Sequence, residues 1–392
     1  MTFPIDRARA DTPGVDHVAH CNNAGAALPP NVVTETVVEH LRLESRIGGY
    51  EAAADTADAH EAVYRSIAAL IGAEAVEIAL VENATRAWDM AVYGFPFSTG
   101  DRVITARAEY ASNAIALLQL RQRHDLEIVL VDDDEHGQID LDALDAELAR
   151  GAAMVALTHV PTGGGLVNPA AEVGARCREA GVCFVLDACQ SAGQLPLDVD
   201  RLQCDVLSAT GRKFLRGPRG TGFLYVRDEW IGRLEPPLLD LHAAEWTSAT
   251  TFRIRDDARR FEGWEASRAG QLGLGAAVDY AMDVGVDAGW ARLHTLAERL
   301  RRQLTDLDGV SVHDKGAVRG GIVTFAVDGH DSVAVKEQLR AARVNTSTTT
   351  PSHGHLDGRA LPALVRASVH YYNTEDELDR LVDVIVGLTG RS

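Results

Sequence analysis

The sequence predicts an α/β protein with a large, mostly parallel sheet domain and a smaller C-terminal α/β domain. At 392 residues the chain is longer than one compact core usually allows, so two domains are expected. Between about residues 60 and 230, short apolar runs alternate with amphipathic stretches, which is typical of parallel strands covered by helices. After residue 285 the pattern changes to one long helical segment followed by shorter strands and helices.

Five short apolar runs predict the strands of the large sheet. Their continuous apolar, β-branched character indicates strands that are buried on both faces. These runs are RVITA (102–106), EIVLV (127–131), AMVALTHV (153–160), VCFVLDA (182–188) and DVLSAT (205–210). Amphipathic stretches at 111–124 and 169–181 predict helices between them, and the stretch 207–226 returns to a strand-like ending.

The change of pattern follows the helical segment 273–285, and we place the start of the second domain at the first residue of that segment. Helical patterns at 273–285 and 289–307 lead to an apolar strand, a helix, a polar loop, another strand and a final helix. We therefore predict an N-terminal segment (1–20) that packs with the small domain, a large domain (21–272) and a small domain (273–392).

Composition excludes several classes of function. The chain has 57 acidic and 38 basic residues, a net charge of −19, which argues against nucleic-acid binding. No apolar run reaches the roughly 18 residues of a spanning helix, and the N-terminus lacks a signal-peptide core, so we expect a cytoplasmic protein without membrane contact. The five cysteines form no CxxC pair; small buried hydrophobes are favoured over metal ligands, which we do not expect, and over disulfides.

Polar residues follow two of the predicted strands, at the edge where open parallel sheets bind ligands. The run CFVLDACQ ends its strand on Asp187, with Gln190 three residues later. Without further context, a carboxylate there is usually a helix cap or a solvated loop residue. Lys213 follows the strand that ends at Thr210 and is one of only three lysines in the chain. A lone lysine usually lies on the surface, whereas this one comes directly after an apolar strand.

A third element completes a chemical requirement. The segment VENATRAWDMAV predicts a helix that begins near Asn83, and free N–H groups at Ala84 and Thr85, with the Thr85 hydroxyl, form a phosphate site. Taken alone, this is also an ordinary N-cap. Together with Asp187 and Lys213 it meets the needs of pyridoxal phosphate, which are a phosphate cup, a carboxylate facing the ring nitrogen and a lysine that forms an imine.

These motifs resemble the class V aminotransferase group of fold-type I pyridoxal-phosphate enzymes, which includes cysteine desulfurases, selenocysteine lyases and C–S lyases. The resemblance runs from residue 21 to residue 381 and implies a seven-stranded type of sheet and a homodimer with active sites near its interface. The motifs that carry it are CNNAGAALPP, THVPTGGGLVNP, FVLDACQSAGQLPLDV, CDVLSATGRKFLRGPRGTGFLYV, RFEGWEAS followed by LGLGAA, and RASVHYYNT.

The resemblance also implies a role for individual residues. Lys213 would form the imine and act as the catalytic residue, Asp187 would pair with the ring nitrogen, and Gln190 would bond the phenolic oxygen. Tyr110 would stack on the ring. The phosphate would be held by Ala84, Thr85, Thr210 and Arg212, and an amino-acid substrate by Arg366, Thr162 and Asn23.

Two departures from the desulfurase pattern direct the functional prediction. The loop before the RAS strand, residues 345–364, contains no cysteine to accept sulfur. Trp264-Glu265 stands where desulfurases have Gly-Thr, and Trp264 fits either interface packing or a substrate wall. We therefore predict β-elimination from a cysteine S-conjugate or its sulfoxide, which releases a thiol or sulfenate, pyruvate and ammonia.

The sequence leaves open the substrate, the role of loop 345–359 and the choice among related reactions. The segment RIGGYEAAADTA (46–57) resembles the corresponding part of hercynylcysteine sulfoxide lyases of ergothioneine biosynthesis. The polar loop 345–359 fits a substrate pocket or a solvated hinge. An epimerase or aminotransferase of the same family is the alternative activity, and a non-catalytic scaffold is disfavoured because lysine, aspartate, glutamine and the phosphate-binding residues are all retained.

Overall fold

A computed structural model of the chain describes residues 3–359 and 361–390; residues 1, 2, 360, 391 and 392, which fall in the predicted domain ranges, lie outside the described residues. The strands, numbered in chain order, are β1 (Ala19–His20), β2 (Ile78–Val81), β3 (Arg102–Ala106), β4 (Glu127–Val131), β5 (Met154–Thr158), β6 (Cys183–Asp187), β7 (Val206–Thr210), β8 (Gly222–Val226), β9 (Ala244–Ser248), β10 (Thr251–Ile254), β11 (Val310–Val312), β12 (Ile322–Val327), β13 (Val344–Asn345), β14 (Ser347–Thr348) and β15 (Val365–Ser368).

Helices cover the two larger sheets, which are described below, and connect their strands. Single 3₁₀ turns at Pro13–Asp16, Ala75–Glu77, Ala258–Phe261 and Pro351–His353 supplement them. The α-helices are α1 (Ile5–Ala10), α2 (Asn31–Ile47), α3 (Gly49–Asp55), α4 (Ala57–Ile71), α5 (Ala84–Val92), α6 (Ala111–His124), α7 (Leu141–Ala149), α8 (Ala170–Ala180), α9 (Val199–Leu202), α10 (Asp228–Ile231), α11 (Arg268–Val284), α12 (Val286–Thr305), α13 (Ser332–Ala341) and α14 (Glu375–Thr389).

The large sheet has seven strands in the order β2-β8-β7-β6-β5-β3-β4, and only β8 runs antiparallel to its neighbours. The predicted fold class, a large, mostly parallel sheet with a second α/β part, is confirmed. The predicted burial holds for β5, β6 and β7, whose residues are all buried. It is wrong for β4, where Glu127 is exposed, because that strand forms one edge of the sheet.

A second sheet lies in the C-terminal part, with the antiparallel order β11-β12-β15-β14. Its core is shared with apolar residues of α12 and α14, such as Leu300 and Leu381. The predicted boundary between residues 272 and 273 falls inside α11, which packs against α2 and α4. The proposed division into domains therefore stays a prediction.

The N-terminal segment contacts the C-terminal part at several points. Strand β1 pairs in parallel with β13, and Arg9 donates to the carbonyl of Tyr372 and to Glu377. Across the described ranges 3–359 and 361–390, no helix is long and apolar enough to cross a membrane.

Candidate active site

The carboxyl ends of three neighbouring parallel strands define the site. Strand β5 ends on Thr158, β6 on Asp187 and β7 on Thr210, so the loops that follow them emerge at one edge of the sheet. This is the edge where a parallel sheet offers loops and helix N-termini to a ligand. Most of the predicted site residues belong to these loops or to the elements beside them.

Lys213 lies buried at this edge, within electrostatic reach of Asp187. Its Nζ donates to the sulfur of Cys189 at 3.2 Å. Asp187 is also buried and accepts from the backbone N–H of Cys189 at 2.8 Å and from the side-chain amide of Asn113 at 2.9 Å. Burial raises the pKa of the Asp187 carboxyl, and those two donors and the Lys213 charge oppose the shift.

A chain of hydrogen bonds joins the loops after β5 and β6 to strand β15. Gln190 donates from Nε2 to the Thr162 hydroxyl at 3.1 Å and to the carbonyl of Ala24 at 3.2 Å. Thr162 in turn accepts from Arg366 at 2.7 Å. Gln190, Thr162 and Arg366, far apart in the sequence, are thereby brought into one site.

Arg366 is a partly buried cation that forms no ion pair in the described part of the chain. Burial, with the like charge of Arg212, lowers the pKa of its guanidinium to about 10. Its side chain bonds Thr162, and its Nε lacks a partner among the described residues. A guanidinium in this state is suited to bind a carboxylate through two hydrogen bonds.

The predicted phosphate-binding residues lie at the ends of α5 and β7. Helix α5 begins at Ala84, with Asn83 as its N-cap, and packs against β7 and β8. The absence of a side chain at Gly222 allows this approach, because a Cβ there would lie 2.5 Å from the Ala209 carbonyl oxygen and 3.0 Å from the carbonyl carbon of Asn83.

The remaining phosphate-binding candidates differ in their surroundings. Thr85 is partly buried in the first turn of α5. Thr210 is buried and donates to the carbonyl of Thr221 at 3.2 Å. Arg212 donates to the carbonyl of Gly25 and lies within electrostatic reach of Arg366. The N-terminus of α5 suits an anion, whereas the side chain of Arg212 interacts with the Gly25 carbonyl and Arg366.

Two further predicted residues have contrasting environments. Tyr110 precedes α6 as its N-cap residue, is partly buried, and lies within electrostatic reach of Arg366. Asn23 is fully buried, and its amide is occupied by Tyr372, by the carbonyl of His20 and by that of Ser368. These bonds fasten the N-terminal segment, so we leave Asn23 out of the proposed substrate contacts.

Three residues of this site were missed by the sequence analysis. Cys189 was interpreted only as a small buried hydrophobe, and Glu109 and Asn113, on either side of Tyr110 in AEYASN, were not considered. Asn113 bridges the carboxylates of Glu109 and Asp187. Their position next to a predicted ring-stacking residue was the available signal, since side chains near Tyr110 lie next to the strand that carries Asp187.

A cavity of about 850 Å³ opens beside the site. Tyr110, Thr162 and Arg366 line one side of it, and residues from the ranges 348–359 and 361–364 line much of the rest. The predicted pocket role of loop 345–359 agrees with this geometry.

Two of the cations around the cavity are paired with carboxylates. Lys315 donates to Asp133 at 2.7 Å, and Arg359 bonds both carboxylate oxygens of Asp357. Among the described residues, Arg366 has no carboxylate partner, so its guanidinium is available to a substrate carboxylate.

The residues present fit pyridoxal 5'-phosphate. Lys213 is a buried amine with a thiol as its hydrogen-bond partner. Among the described residues, two buried polar atoms of the site lack a partner, Oε1 of Gln190 and Nε of Arg366. Unsatisfied buried polar groups of this kind are rare in a folded protein unless a ligand completes them.

The comparisons with known proteins agree with this geometry. The family model described as aminotransferase class-V matches residues 20–381. A probable cysteine desulfurase from Pyrococcus abyssi is 28% identical, and the match covers 98% of this chain and 97% of the relative. Probable cysteine desulfurase 2 from Mycobacterium leprae is 31% identical over 97% of this chain and 96% of its own length.

A solved structure gives the same result for the fold. The apo structure of a cysteine desulfurase from Thermococcus onnurineus NA1 superposes with a TM-score of 0.93 at 26% identity. The match covers 100% of this chain and 99% of that one.

Proposed function

Because the chain belongs to the class V aminotransferase family of pyridoxal 5'-phosphate-dependent enzymes, we propose that it is a C–S lyase acting on a cysteine S-conjugate or its sulfoxide. The products are a thiol or sulfenate, pyruvate and ammonia, with water consumed. One observation carries the proposal: the cavity next to Arg366 is large, and the loop that bounds it contains no cysteine.

The residues divide the work of such a reaction. Bound pyridoxal phosphate supplies an electron sink that weakens the bonds at the substrate's α-carbon. Lys213 takes the α-proton, and Asp187 stabilises a proton on the cofactor's ring nitrogen. Arg366, held by Thr162, binds the substrate α-carboxylate and so orients the α-carbon toward Lys213.

The size of the cavity supports a substrate larger than cysteine. A volume of about 850 Å³ is in the range that accommodates drug-sized ligands, roughly 300–1,000 Å³. Free cysteine is far smaller than this space, part of which the cofactor ring beside Tyr110 would occupy. A sulfur substituent that extends from Arg366 toward residues 348–364 would use it.

Desulfurase activity, suggested by the names of the relatives, is the second candidate. It requires a reactive thiolate that meets the substrate sulfur. The cysteine beside Lys213 is Cys189, which follows β6 directly, and burial raises the pKa of its thiol. A protonated thiol at a fixed position is a poor acceptor of sulfur, so we favour elimination.

Assembly and location belong to the same proposal. Several exposed apolar side chains cluster in the sequence between residues 238 and 264, and we propose that a homodimer covers them. They are Leu238, Leu241, Trp246, Phe252 and Trp264, each more than half exposed. All five cysteines lie within the described ranges and are unpaired, which suits the reducing cytoplasm. Sedimentation velocity of the wild type and of Trp246→Ser tests the assembly.

A substrate screen tests the activity. The enzyme is incubated with S-alkyl and S-aryl cysteines, their sulfoxides, hercynylcysteine sulfoxide and free cysteine, with Lys213→Ala as the blank. Pyruvate should appear from at least one conjugate or sulfoxide, with an equal amount of the thiol or sulfenate. Alanine together with sulfide from free cysteine, without pyruvate, would favour a desulfurase, whereas α-proton exchange or keto-acid formation without thiol would favour an epimerase or aminotransferase.

A further inference from the structure

A second buried carboxylate lies behind the one assigned to the cofactor. Glu109 connects β3 to α6 and is buried. Its Oε1 accepts from the backbone N–H of Tyr110 at 2.6 Å and from the Thr158 hydroxyl, and its Oε2 accepts from the Thr105 hydroxyl at 3.0 Å. An acid on this loop with only a packing role would not need so many donors.

One amide joins this carboxylate to Asp187. The side-chain nitrogen of Asn113 donates to Glu109 Oε1 at 3.0 Å and to Asp187 Oδ2 at 2.9 Å. The other oxygen of Asp187 accepts from the backbone N–H of Cys189 at 2.8 Å. Both protons of the Asn113 amide are therefore used, and the plane of the Asp187 carboxylate is fixed from two sides.

The charges around the pair indicate the purpose of this arrangement. Burial raises the pKa of Glu109 to about 7, with Asp187 as a further contributor, while its donors oppose the shift. The ionised form of Glu109 is the one that its donors satisfy. Lys213 is the cation that acts on Asp187. A proton on a nearby ring nitrogen would be stabilised by both carboxylates.

We propose that Glu109 is a positioning residue for the cofactor: acting through Asn113, it holds Asp187 in one orientation and so maintains the proton on the cofactor's ring nitrogen. The proposal rests on the proposed role of Asp187 as the partner of that nitrogen. A merely structural Glu109, which only fastens α6 to β3 and β5, would affect folding and leave the ring nitrogen unchanged.

The test observes the nitrogen itself rather than turnover. Pyridoxal phosphate labelled with ¹⁵N in the ring is bound to the wild type and to Glu109→Gln, Asn113→Ala and Asp187→Asn, and its ¹⁵N chemical shift is measured. Ser208→Ala is the matched control, because Ser208 is buried and pairs with Asp187 in register, yet its hydroxyl has no partner among the described residues. Cofactor affinity and the unfolding of each apo variant are measured in parallel.

We expect Glu109→Gln and Asn113→Ala to move the shift toward that of a neutral pyridine and to weaken cofactor binding about tenfold, the effect of one lost hydrogen bond to a charged group. Ser208→Ala should match the wild type. An Asp187→Asn shift equal to that of the wild type would refute the role of Asp187. A changed shift in Asp187→Asn with unchanged shift and affinity in Glu109→Gln and Asn113→Ala would overturn the role of Glu109 alone. If Asn113→Ala does not fold, the isosteric Glu109→Gln decides.

Discussion

The side-chain nitrogen of Lys213 lies 3.2 Å from the sulfur of Cys189. The contact places a thiol beside the amine that is proposed to hold the cofactor, at a position two residues after Asp187. Because burial raises the pKa of this thiol, it is present as a neutral group at physiological pH. We therefore treat Cys189 as a packing and hydrogen-bonding neighbour of Lys213, with no covalent step of its own.

Because Cys189 is a neutral neighbour of Lys213 without a covalent step, we expect a mild phenotype for Cys189→Ala. The variant should keep cofactor binding and turnover within about fivefold of the wild type, because one weak neutral hydrogen bond is lost. Cys189→Ser, which retains a donor and acceptor, is the matched control. Steady-state rates with the best conjugate from the substrate screen provide the measurement. A loss of a hundredfold or more in Cys189→Ala, with the cofactor still bound, would assign the thiol a chemical role.

Lys213→Ala should abolish turnover. We expect a decrease in kcat of at least about 10³-fold, because the general base is removed, together with loss of the near-ultraviolet or visible band of the lysine-bound cofactor. Lys336→Ala is the control, since this lysine lies on α13 and pairs with Glu337 away from the site. Absorbance spectra and single-turnover rates distinguish the two variants. Full activity in Lys213→Ala would exclude this lysine as the base.

Arg366→Ala should weaken substrate binding and leave the cofactor bound. Loss of a two-pronged bond to a carboxylate predicts a KM increase of about 10- to 100-fold. In the wild type, burial lowers the pKa of Arg366 to about 10, so substrate affinity should weaken as pH rises through about 10. The sign follows from the lowered pKa, because the deprotonated side chain cannot pair with a carboxylate. Thr162→Val should reproduce a smaller part of the KM effect, and loss of cofactor in Arg366→Ala would contradict the assignment.

The large sheet was predicted well because its strands are continuous apolar runs. The run RVITA matches β3 and EIVLV matches β4, and the other predicted strands are within two residues of the structure. Strand β2 was missed because it has only four residues, which lie between a 3₁₀ turn and the loop before α5. The hairpin of β9 and β10 was also missed, since nearly all of its side chains are exposed and carry no apolar period.

The site was predicted less completely. Asp187 and Lys213 were proposed from the sequence because Asp187 ends a buried strand and Lys213 follows one. Glu109 was not, because it is recognised only through its contacts with Thr158 and Asn113, which lie on other segments of the chain. A single sequence shows neither such contacts nor the size of the cavity next to Arg366.

Gly222→Ala should weaken cofactor binding through the backbone. A Cβ at this position would lie 2.5 Å from the Ala209 carbonyl oxygen and 3.0 Å from the carbonyl carbon of Asn83, so the N-terminal end of α5 must move away from β8, which carries Gly222. We expect cofactor affinity to fall at least tenfold, because the phosphate-binding end of α5 is displaced.

Gly220→Ala is the matched control for that variant. Gly220 has a positive φ of 77° but no atom near its missing Cβ, so alanine costs only backbone strain of about 1 kcal/mol. Its cofactor affinity should stay at the wild-type value. Equilibrium titration of each apo variant with pyridoxal phosphate measures the difference, and equal affinities in the two variants would refute the steric argument.

Arg216 should stabilise the junction between the N-terminal segment and the rest of the protein. This buried arginine donates to the Thr12 hydroxyl of the N-terminal segment, to the Leu28 carbonyl at 2.8 Å and to the Tyr371 hydroxyl at 3.0 Å. Its guanidinium lies 4.7 Å from the ring centre of Tyr372. Arg216→Ala leaves buried acceptors unpaired and removes these ring contacts. We expect the free energy of unfolding to fall by about 3 kcal/mol.

The backbone at Arg216 allows a sharper comparison. Its φ is 63°, a left-handed conformation that costs a non-glycine residue about 1 kcal/mol. Arg216→Gly removes the same contacts and relieves that strain, so it should be less destabilising than Arg216→Ala by about 1 kcal/mol. Arg219→Ala, at an exposed position on the same loop, should stay within about 0.5 kcal/mol of the wild type. Chemical denaturation of the apo proteins ranks the variants, and a wild-type midpoint in Arg216→Ala would show that these contacts do not stabilise the fold.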